Sequence, residues 1–390
     1  MKLLVLSPVF PYPPHDGDRV RIFNFIKELS PKNDITLVSF AGKNEKKYEK
    51  KIKKYCAHAF PVEISRRHVY FNILKGMFSK KPLNVLAYES GAMRKTIRKV
   101  LSGEKFDGVF VYRLRMAAYA EDIRLPKIID LVDSLALYMK RGLEFEKMTP
   151  RGIYNLVDFK KVLNYEKKMP GIFDFVTVNF EQDASFLGGK NVVAVPNGGY
   201  NPAAGKKKKQ KKKKVIGFFG NLEYAPNADG LVYFYKNTWK KLKIFDKNIK
   251  LEVLGDRKGR FSYLEEDETV KVRGYVPDAG KIIKRWDVSV VPVRYGAGRQ
   301  NKILQSWANR VPVVSTPFAS KGVYGKNGKN LIIGKTPDSF ARGVIKLIKD
   351  SRLRAKIIKN GEKTLKTNFS WKKSAGTINR LFRKTGKGEK

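Results

Sequence analysis

Glycines and cations follow a short apolar run in the last third of the chain. Asp287 to Pro292 has the composition of a buried parallel strand, and Gly296-Ala297-Gly298 then offers a tight turn with no side chain to block a ligand. A helical pattern starts at Arg299, and its first turn carries both Arg299 and Lys302. The free amides of a helix start and two cations suit an anion such as a phosphate. The alternative interpretation is an ordinary βαβ crossover in which the glycines serve packing.

Acidic residues stand at a predicted strand end in the first half of the chain. Asp130 and Asp133 follow an apolar run, and ligands of open α/β sheets bind at the carboxyl ends of the strands. Asp133 is therefore a candidate contact for a substrate hydroxyl, and the alternative is that it caps a helix starting at Ser134. Gly17 precedes the first predicted helix, where a phosphate or sugar could approach the amides. Asp18 as the cap of that helix is the alternative there.

Strand and helix patterns alternate twice, which predicts two α/β domains. Residues 1–196 and residues 215–368 each suit a Rossmann-like parallel sheet, with the two domains facing each other across a cleft. Residues 197–214 are predicted to be a hinge linker, because the run KKKKQKKKK at 206–214 repels itself. A membrane or polyanion contact is the second interpretation of this run. Residues 369–390 are predicted to form a helix that packs back towards the N-terminal domain.

Composition narrows the possible functions. One cysteine and three histidines in 390 residues argue against a disulfide framework and a histidine-rich metal cluster. No window suits a transmembrane helix, and the N-terminus is interpreted as a strand, not a signal peptide. The formal net charge of +45 fits nucleic-acid binding, an anionic membrane surface or a lysine-rich source composition. Specific nucleic-acid binding is disfavoured because no nucleic-acid-binding motif spacing occurs. The sequence also has no GxGxxG after a first strand and no GxxxxGK[ST], which argues against a dinucleotide-binding domain and a P-loop.

Six sequence segments resemble GT-B glycosyltransferases of family 4. The most similar subgroup is the sugar transferases of exopolysaccharide gene clusters, and the likeness runs in order through nearly the whole chain. The segments are PYPPHDGDRVR at 11–21, PNG at 196–198, FFGNLEYAPNADG at 218–230, GYVPD at 274–278, GAGRQNKILQS at 296–306 and NFSW at 368–371.

The resemblance implies a retaining transfer from a nucleotide-diphosphate sugar to a lipid-linked or polysaccharide acceptor, without a metal or other cofactor. The C-terminal domain would bind the donor, and the N-terminal domain would bind the acceptor. The predicted catalytic residues are Lys302 and Arg299, which the resemblance implies as cations, and Asp133, which is predicted from its position at a strand end. The implied donor-binding residues are Gly17, Gly220, Asn221, Tyr275, Val276, Gly298, Asn301, Lys302 and Gln305. The protein is expected in the cytoplasm, on the inner face of the cell membrane, where its charge would favour anionic lipid.

Some family features differ here. Two glutamates eight residues apart in many members are Ala297 and Gln305 in this chain. The Arg and Lys that often follow the first strand of the C-terminal domain have no counterpart between Asn221 and Ala228. Many members have a histidine near the acceptor. This sequence has no clear counterpart to it, and Tyr112 and Arg113 are the residues nearby in sequence order. Two alternatives therefore stay open: a nonenzymatic GT-B protein that binds sugar nucleotide or acts as a scaffold, and a polyanion-binding protein.

Overall fold

The protein forms two compact domains. A computed structural model describes residues 1–14, 17–76, 79–146, 150–199, 214–256, 258–276, 278–296 and 299–385. One domain comprises Met1–Gly198 with Trp371–Lys390, and the other comprises Gly199–Ser370. Residues 206–213 of the lysine run lie outside the described residues, so the predicted hinge stays a prediction.

The N-terminal domain is built on a seven-stranded parallel sheet in the order β3-β2-β1-β4-β5-β6-β7. Its strands are nearly continuous apolar runs, as expected of a sheet covered on both faces. The four residues Leu3 to Leu6 inside β1, for example, are fully buried. The strands are β1 Lys2–Ser7, β2 Asp34–Ala41, β3 His58–Glu63, β4 Gly108–Tyr112, β5 Lys127–Val132, β6 Phe175–Val178 and β7 Val192–Ala194.

The helices of this domain connect the strands and cover the sheet. They are α1 Gly17–Leu29, α2 Glu49–Ile52, α3 Arg66–Gly76, α4 Leu83–Leu86, α5 Gly91–Gly103, α6 Leu135–Glu146, α7 Pro150–Ile172 and α8 Glu181–Leu187. The sequence pattern predicts one helix over 84–101, whereas the structure has α4 and α5 there. The cause is local: Ser90 has extended backbone angles, and its side chain caps α5 by accepting from the amide of Met93.

The C-terminal domain is built on a six-stranded parallel sheet in the order β10-β9-β8-β11-β12-β13. Its strands are β8 Val215–Phe219, β9 Lys250–Leu254, β10 Val270–Arg273, β11 Val288–Val291, β12 Val313–Ser315 and β13 Ile332–Ile333. Its helices are α9 Ala225–Phe234, α10 Lys240–Phe245, α11 Ala279–Ile283, α12 Asn301–Ala308, α13 Pro317–Lys321, α14 Pro337–Lys349 and α15 Ser351–Asn368. Among the described helices of the protein, none has the length and apolar composition needed to cross a bilayer.

The last helix, α16 (Trp371–Thr385), belongs to the N-terminal domain and packs on α1. The edge of Trp371 meets the ring of Phe25, with 5.8 Å between the ring centroids. A Cβ added to Gly108 at the start of β4 would lie 2.7 Å from the ring of Phe382, so the helix and the sheet are in close contact. The Asn33 side chain donates to the Asn379 side chain at 3.0 Å. The core of the N-terminal domain thus contains residues from both ends of the chain.

Candidate functional site

Three loops meet at the carboxyl edge of the six-stranded sheet. They follow β8, β9 and β11, and two glycines set their spacing. Gly220 directly follows β8 and has φ 152°, and Gly255 directly follows β9 and has φ 106°. Both angles lie in a region that favours glycine. A Cβ on Gly255 would overlap the carbonyl oxygen of Gly220. Only glycine therefore lets the β8 and β9 loops approach this closely, and the amide of Leu222 donates to the carbonyl oxygen of Gly255 at 3.3 Å.

Asn227 connects the loop after β8 to α12. The side-chain nitrogen Nδ2 of Asn227 donates to the carbonyl oxygen of Asn221 at 2.8 Å. Its side-chain oxygen Oδ1 accepts from Nζ of Lys302 at 2.7 Å. Asn227 is 4% exposed, so both contacts are shielded from water. The sequence analysis did not assign Asn227 a role. The available clue was a polar residue in the first turn of a helix that follows a glycine turn.

Lys302 places a partly buried positive charge beside Gly220. A Cβ added to Gly220 would lie 2.5 Å from Cε and 3.1 Å from Nζ of Lys302. Burial lowers the pKa of Lys302 to about 8, and no acid among the described residues offsets that burial. An ammonium removed from water is costly unless it is paired. A negatively charged ligand at the loop after β8 would supply the missing charge.

Arg299 lies just before α12 and is 5% exposed. Its Nη1 donates to the carbonyl oxygen of Gly322 at 2.8 Å. The guanidinium carbon lies 5.3 Å from the ring centroid of Tyr324 and 5.5 Å from that of Phe369. These contacts fix the start of α12 and therefore help to place Lys302. A contact between Arg299 and a diphosphate stays a prediction.

The other predicted donor residues spread along the same edge. Asn301 opens α12, and both it and Gln305 are partly exposed. Tyr275, two residues after β10, is 48% exposed. Val276 packs against the apolar cluster that contains Phe219 and Trp286. Ala297 and Gly298 lie outside the described residues.

The carboxyl edge of the N-terminal sheet holds a second group of charged side chains. Arg113 has φ 71° and Val132 has φ 70°, both in a region that side chains rarely adopt. Such strain often accompanies functional positions. Arg113 forms an ion pair with Asp18, and the Tyr112 hydroxyl donates to the Asp18 carbonyl oxygen at 2.9 Å. Burial opposes ionisation of Asp18, but the charges of Arg113 and Arg115 outweigh it and lower its pKa.

The structure tests the predicted capping role of Asp18, next to Gly17. α1 begins at Gly17, so Asp18 is a residue of its first turn and not the residue before the helix. The Asp18 side chain pairs with Arg113, which takes the place of the expected capping contact. A Cβ added to Gly17 would meet no heavy atom within 4 Å. The approach of a ligand to Gly17 stays a prediction.

Asp133 reaches this edge but does not cap α6. Glu166 accepts from the amides of Leu135 at 2.7 Å and Ala136 at 3.3 Å, and also from the Ser134 hydroxyl at 2.6 Å. The Oδ1 atom of Asp133 is shielded from solvent and has no hydrogen-bond partner in the part of the chain that the structure describes. Burial raises the pKa of Asp133, against the opposing charges of Arg113 and Arg21. The alternative interpretation, in which Asp133 caps the helix that starts after Ser134, is therefore wrong.

A buried ion pair between Arg21 and Asp130 lies at the carboxyl edge of the N-terminal sheet. Arg21 is fully buried and binds Asp130 through Nε at 2.7 Å and Nη2 at 2.9 Å. Arg21 also donates to the Asn197 side chain at 2.6 Å. Asp130 is fully buried and accepts from Thr177 as well, so its oxygens are engaged within the protein and not offered to a substrate. The sequence analysis missed Arg21, although it is a charge on the apolar face of α1.

No group of three or more His, Cys, Asp or Glu side chains is arranged to hold a metal ion in the described part of the chain.

Comparisons with known proteins agree with this architecture. A family model described as Glycosyl transferases group 1 matches residues 213–350. An uncharacterised 44.6 kDa protein from the cps region of Klebsiella pneumoniae is 22% identical over 401 positions, which span 97% of this chain and 98% of that protein. An uncharacterised glycosyltransferase of Methanocaldococcus jannaschii is 30% identical over 103 residues, but the match spans only 26% of this chain and 26% of that protein.

The crystal structure of Anabaena HepE in complex with UDP superposes with a TM-score of 0.69, covering 98% of this chain and 100% of that chain. At 14% identity, this likeness establishes the fold alone. The predicted GT-B architecture of two Rossmann-like domains is confirmed. The predicted glycosyltransferase resemblance is confirmed at the level of the group 1 domain, which contains the loops after β8, β9 and β11 and the helix α12.

Proposed function

We propose that the protein is a retaining, metal-independent glycosyltransferase of family 4. It transfers a sugar from a nucleotide-diphosphate donor to a lipid-linked or polysaccharide acceptor at the inner face of the cell membrane. The observation that carries the proposal is Lys302, a partly buried ammonium with no acid partner among the described residues, held against the loop after β8. A diphosphate is the natural partner for a cation and backbone amides in this position.

The comparisons support the substrate classes. HepE of Anabaena has been crystallised with UDP, which supports a nucleotide diphosphate as the donor leaving group. The Klebsiella relative is named for its place in the cps region, and it matches this chain over nearly its whole length. Together these relatives support a nucleotide-sugar donor and a glycan acceptor.

Sugar transfer from such a donor requires stabilisation of the departing nucleoside diphosphate. Negative charge develops on the leaving group, and fixed donors aimed at that charge lower the barrier. Lys302 supplies the cation, and the backbone around Gly220 and the start of α12 supplies amides. Gln305 offers a hydrogen bond to the donor where many members have a glutamate. Asp133, with its unpartnered Oδ1, is the proposed contact for the acceptor hydroxyl.

Two measurements test the reaction. The purified protein is incubated with UDP-, GDP- and ADP-sugars and a lipid extract, and release of nucleoside diphosphate and labelling of lipid are followed together. NMR of the product then gives the anomeric configuration. Labelled product with retained configuration is expected. Inverted configuration would contradict the retaining mechanism, and donor binding without turnover would favour the nonenzymatic alternative that Ala297 and Gln305 suggest.

Donor binding is expected to weaken above about pH 8. Burial lowers the pKa of Lys302 to about 8, so the free protein loses this ammonium as the pH rises through that value. Bound diphosphate favours the charged form, so each further pH unit should raise the apparent Kd by up to about tenfold. Calorimetric titration with nucleoside diphosphate from pH 7 to 9.5 measures this, with Lys302→Ala as the control that lacks the dependence. A flat wild-type profile would argue against the contact.

A further inference from the structure

Two helices of the N-terminal domain turn apolar side chains to solvent. On α3, Tyr70, Phe71 and Leu74 are 67%, 63% and 68% exposed. Near the start of α7, Ile153, Leu156 and Val157 are 58%, 68% and 56% exposed. The spacing within each set places it on one face of its helix. Exposed apolar side chains are common singly, but three on one helix face mark a surface that meets a partner.

Both helices adjoin the short helix α4. The amide of Leu83 at the start of α4 donates to both carboxylate oxygens of Asp158 on α7, at 3.1 Å each. On the other side, a Cβ on Gly76 at the end of α3 would overlap the Leu86 side chain of α4. We call the exposed side chains between Arg67 and Lys75 in α3 and between Ile153 and Lys168 in α7, as far as the structure describes them, the α3–α7 surface.

The charge of this surface has one sign. Between Ser65 and Pro82 the chain has five arginine or lysine residues and no acid. Lys160, Lys167 and Lys168 of α7 are exposed. The acids of α7, Asp158 and Glu166, are both fully buried. Within the described part of these two segments, every exposed ionised side chain is therefore basic.

We propose that the α3–α7 surface binds the surface of an anionic lipid bilayer. The apolar side chains would enter the boundary between headgroups and acyl chains, where tyrosine is also well placed. The flanking cations would contact lipid phosphates and acidic headgroups. A partner protein would be expected to pair these cations with its own acids, whereas a bilayer accepts the apolar face and the positive rim together. This inference deepens the proposed function, since it identifies the face that brings the protein to a lipid-linked acceptor.

The first test is vesicle flotation without any sugar nucleotide. Wild-type protein is mixed with phosphatidylcholine vesicles, with or without about one quarter phosphatidylglycerol. The variant Phe71→Ser/Leu74→Ser removes apolar contact. Its control, Ile244→Ser/Tyr263→Ser, removes two exposed side chains of the C-terminal domain, which are 84% and 50% exposed. We expect the first variant to bind anionic vesicles about tenfold or more weakly. We expect the control to bind like the wild type. Equal binding by both variants would overturn the proposal.

The second test separates a local surface from total charge. Arg67→Glu/Lys75→Glu and Lys359→Glu/Lys363→Glu change the net charge equally, and all four side chains are exposed. We expect only the first pair to lose binding to anionic vesicles. An equal loss in both would mean that binding follows the total charge, and the proposed surface would be wrong.

A second copy of the chain is the remaining occupant to exclude. Sedimentation of the wild type and of Phe71→Ser/Leu74→Ser gives the oligomeric state. A wild-type dimer that becomes monomeric in the variant, together with no vesicle binding by the wild type, would assign the surface to self-association and overturn the proposal. Sugar transfer to a soluble acceptor is assayed in parallel. Unchanged transfer with lost vesicle binding supports the membrane role, and absent transfer with intact vesicle binding points to a fault in the proposed function alone.

Discussion

Replacing Lys302 with alanine is expected to lower kcat/KM for sugar transfer at least about tenfold and to weaken nucleoside diphosphate binding by a similar factor. A charge-assisted hydrogen bond is worth about 1.5–3 kcal/mol, and each 1.4 kcal/mol is about a factor of ten. The loss should not be a folding defect. In the unliganded protein Lys302 is a partly buried cation whose pKa is lowered by desolvation to about 8, so its removal should not lower the melting temperature.

The control for this variant is Lys356→Ala, which removes an exposed lysine of α15 in the same domain. It should leave both kinetics and binding unchanged. If Lys302→Ala folds normally and keeps wild-type kinetics, Lys302 does not hold the diphosphate. A drop in melting temperature of the unliganded variant would show instead that Lys302 has a structural role.

Arg21→Met is expected to cost about 3–5 kcal/mol in the free energy of unfolding of the N-terminal domain, because it leaves a buried carboxylate unpaired. Asp130 is fully buried and receives two hydrogen bonds from Arg21. The substitution also removes the donor to Asn197, so the loop after β7 should loosen. Urea unfolding followed by tryptophan fluorescence and circular dichroism measures the change, with the two domains treated as separate transitions.

Two further variants make the Arg21 prediction specific. Lys241→Met breaks a pair with Asp338 whose side chains are 44% and 59% exposed, and it should leave the free energy of unfolding nearly unchanged. Arg21→Met/Asp130→Leu removes both buried charges and should recover part of the loss, since no carboxylate is then left unpaired. A loss below about 1 kcal/mol in Arg21→Met would mean that water reaches Asp130 and that the pair is not the support described here.

Local pattern was enough to predict most of the strands. β1 is an apolar run between polar ends, and β2 and β8 are mostly apolar; such runs predict buried parallel strands. The glycine turns at the carboxyl ends of β8 and β9 were also visible, since glycine is needed wherever φ is strongly positive. These features depend on neighbours in the sequence.

Contacts between distant residues were beyond the sequence pattern. Arg21 and Asp130 are 109 positions apart, and nothing local shows that they meet. Asn227 and Lys302 are 75 positions apart, and their contact depends on the closeness of β8 and β11 in the sheet. The start of α6 illustrates the same limit: the sequence pattern suggested Asp133 as the cap, whereas the Ser134 hydroxyl accepts from the amide of Leu137 and Glu166 of α7 accepts from that of Leu135.

The most direct test of the account is a thermal-shift screen of the purified protein with UDP, GDP, ADP and their common sugars. The screen is run at moderate salt, with inorganic pyrophosphate as the control for the formal net charge of +45. A ligand that binds only the folded state raises its melting temperature. The account predicts that one nucleotide and its sugars stabilise the wild type well beyond pyrophosphate, and that Lys302→Ala loses this gain. Equal stabilisation by every polyanion, in the wild type and the variant alike, would contradict it.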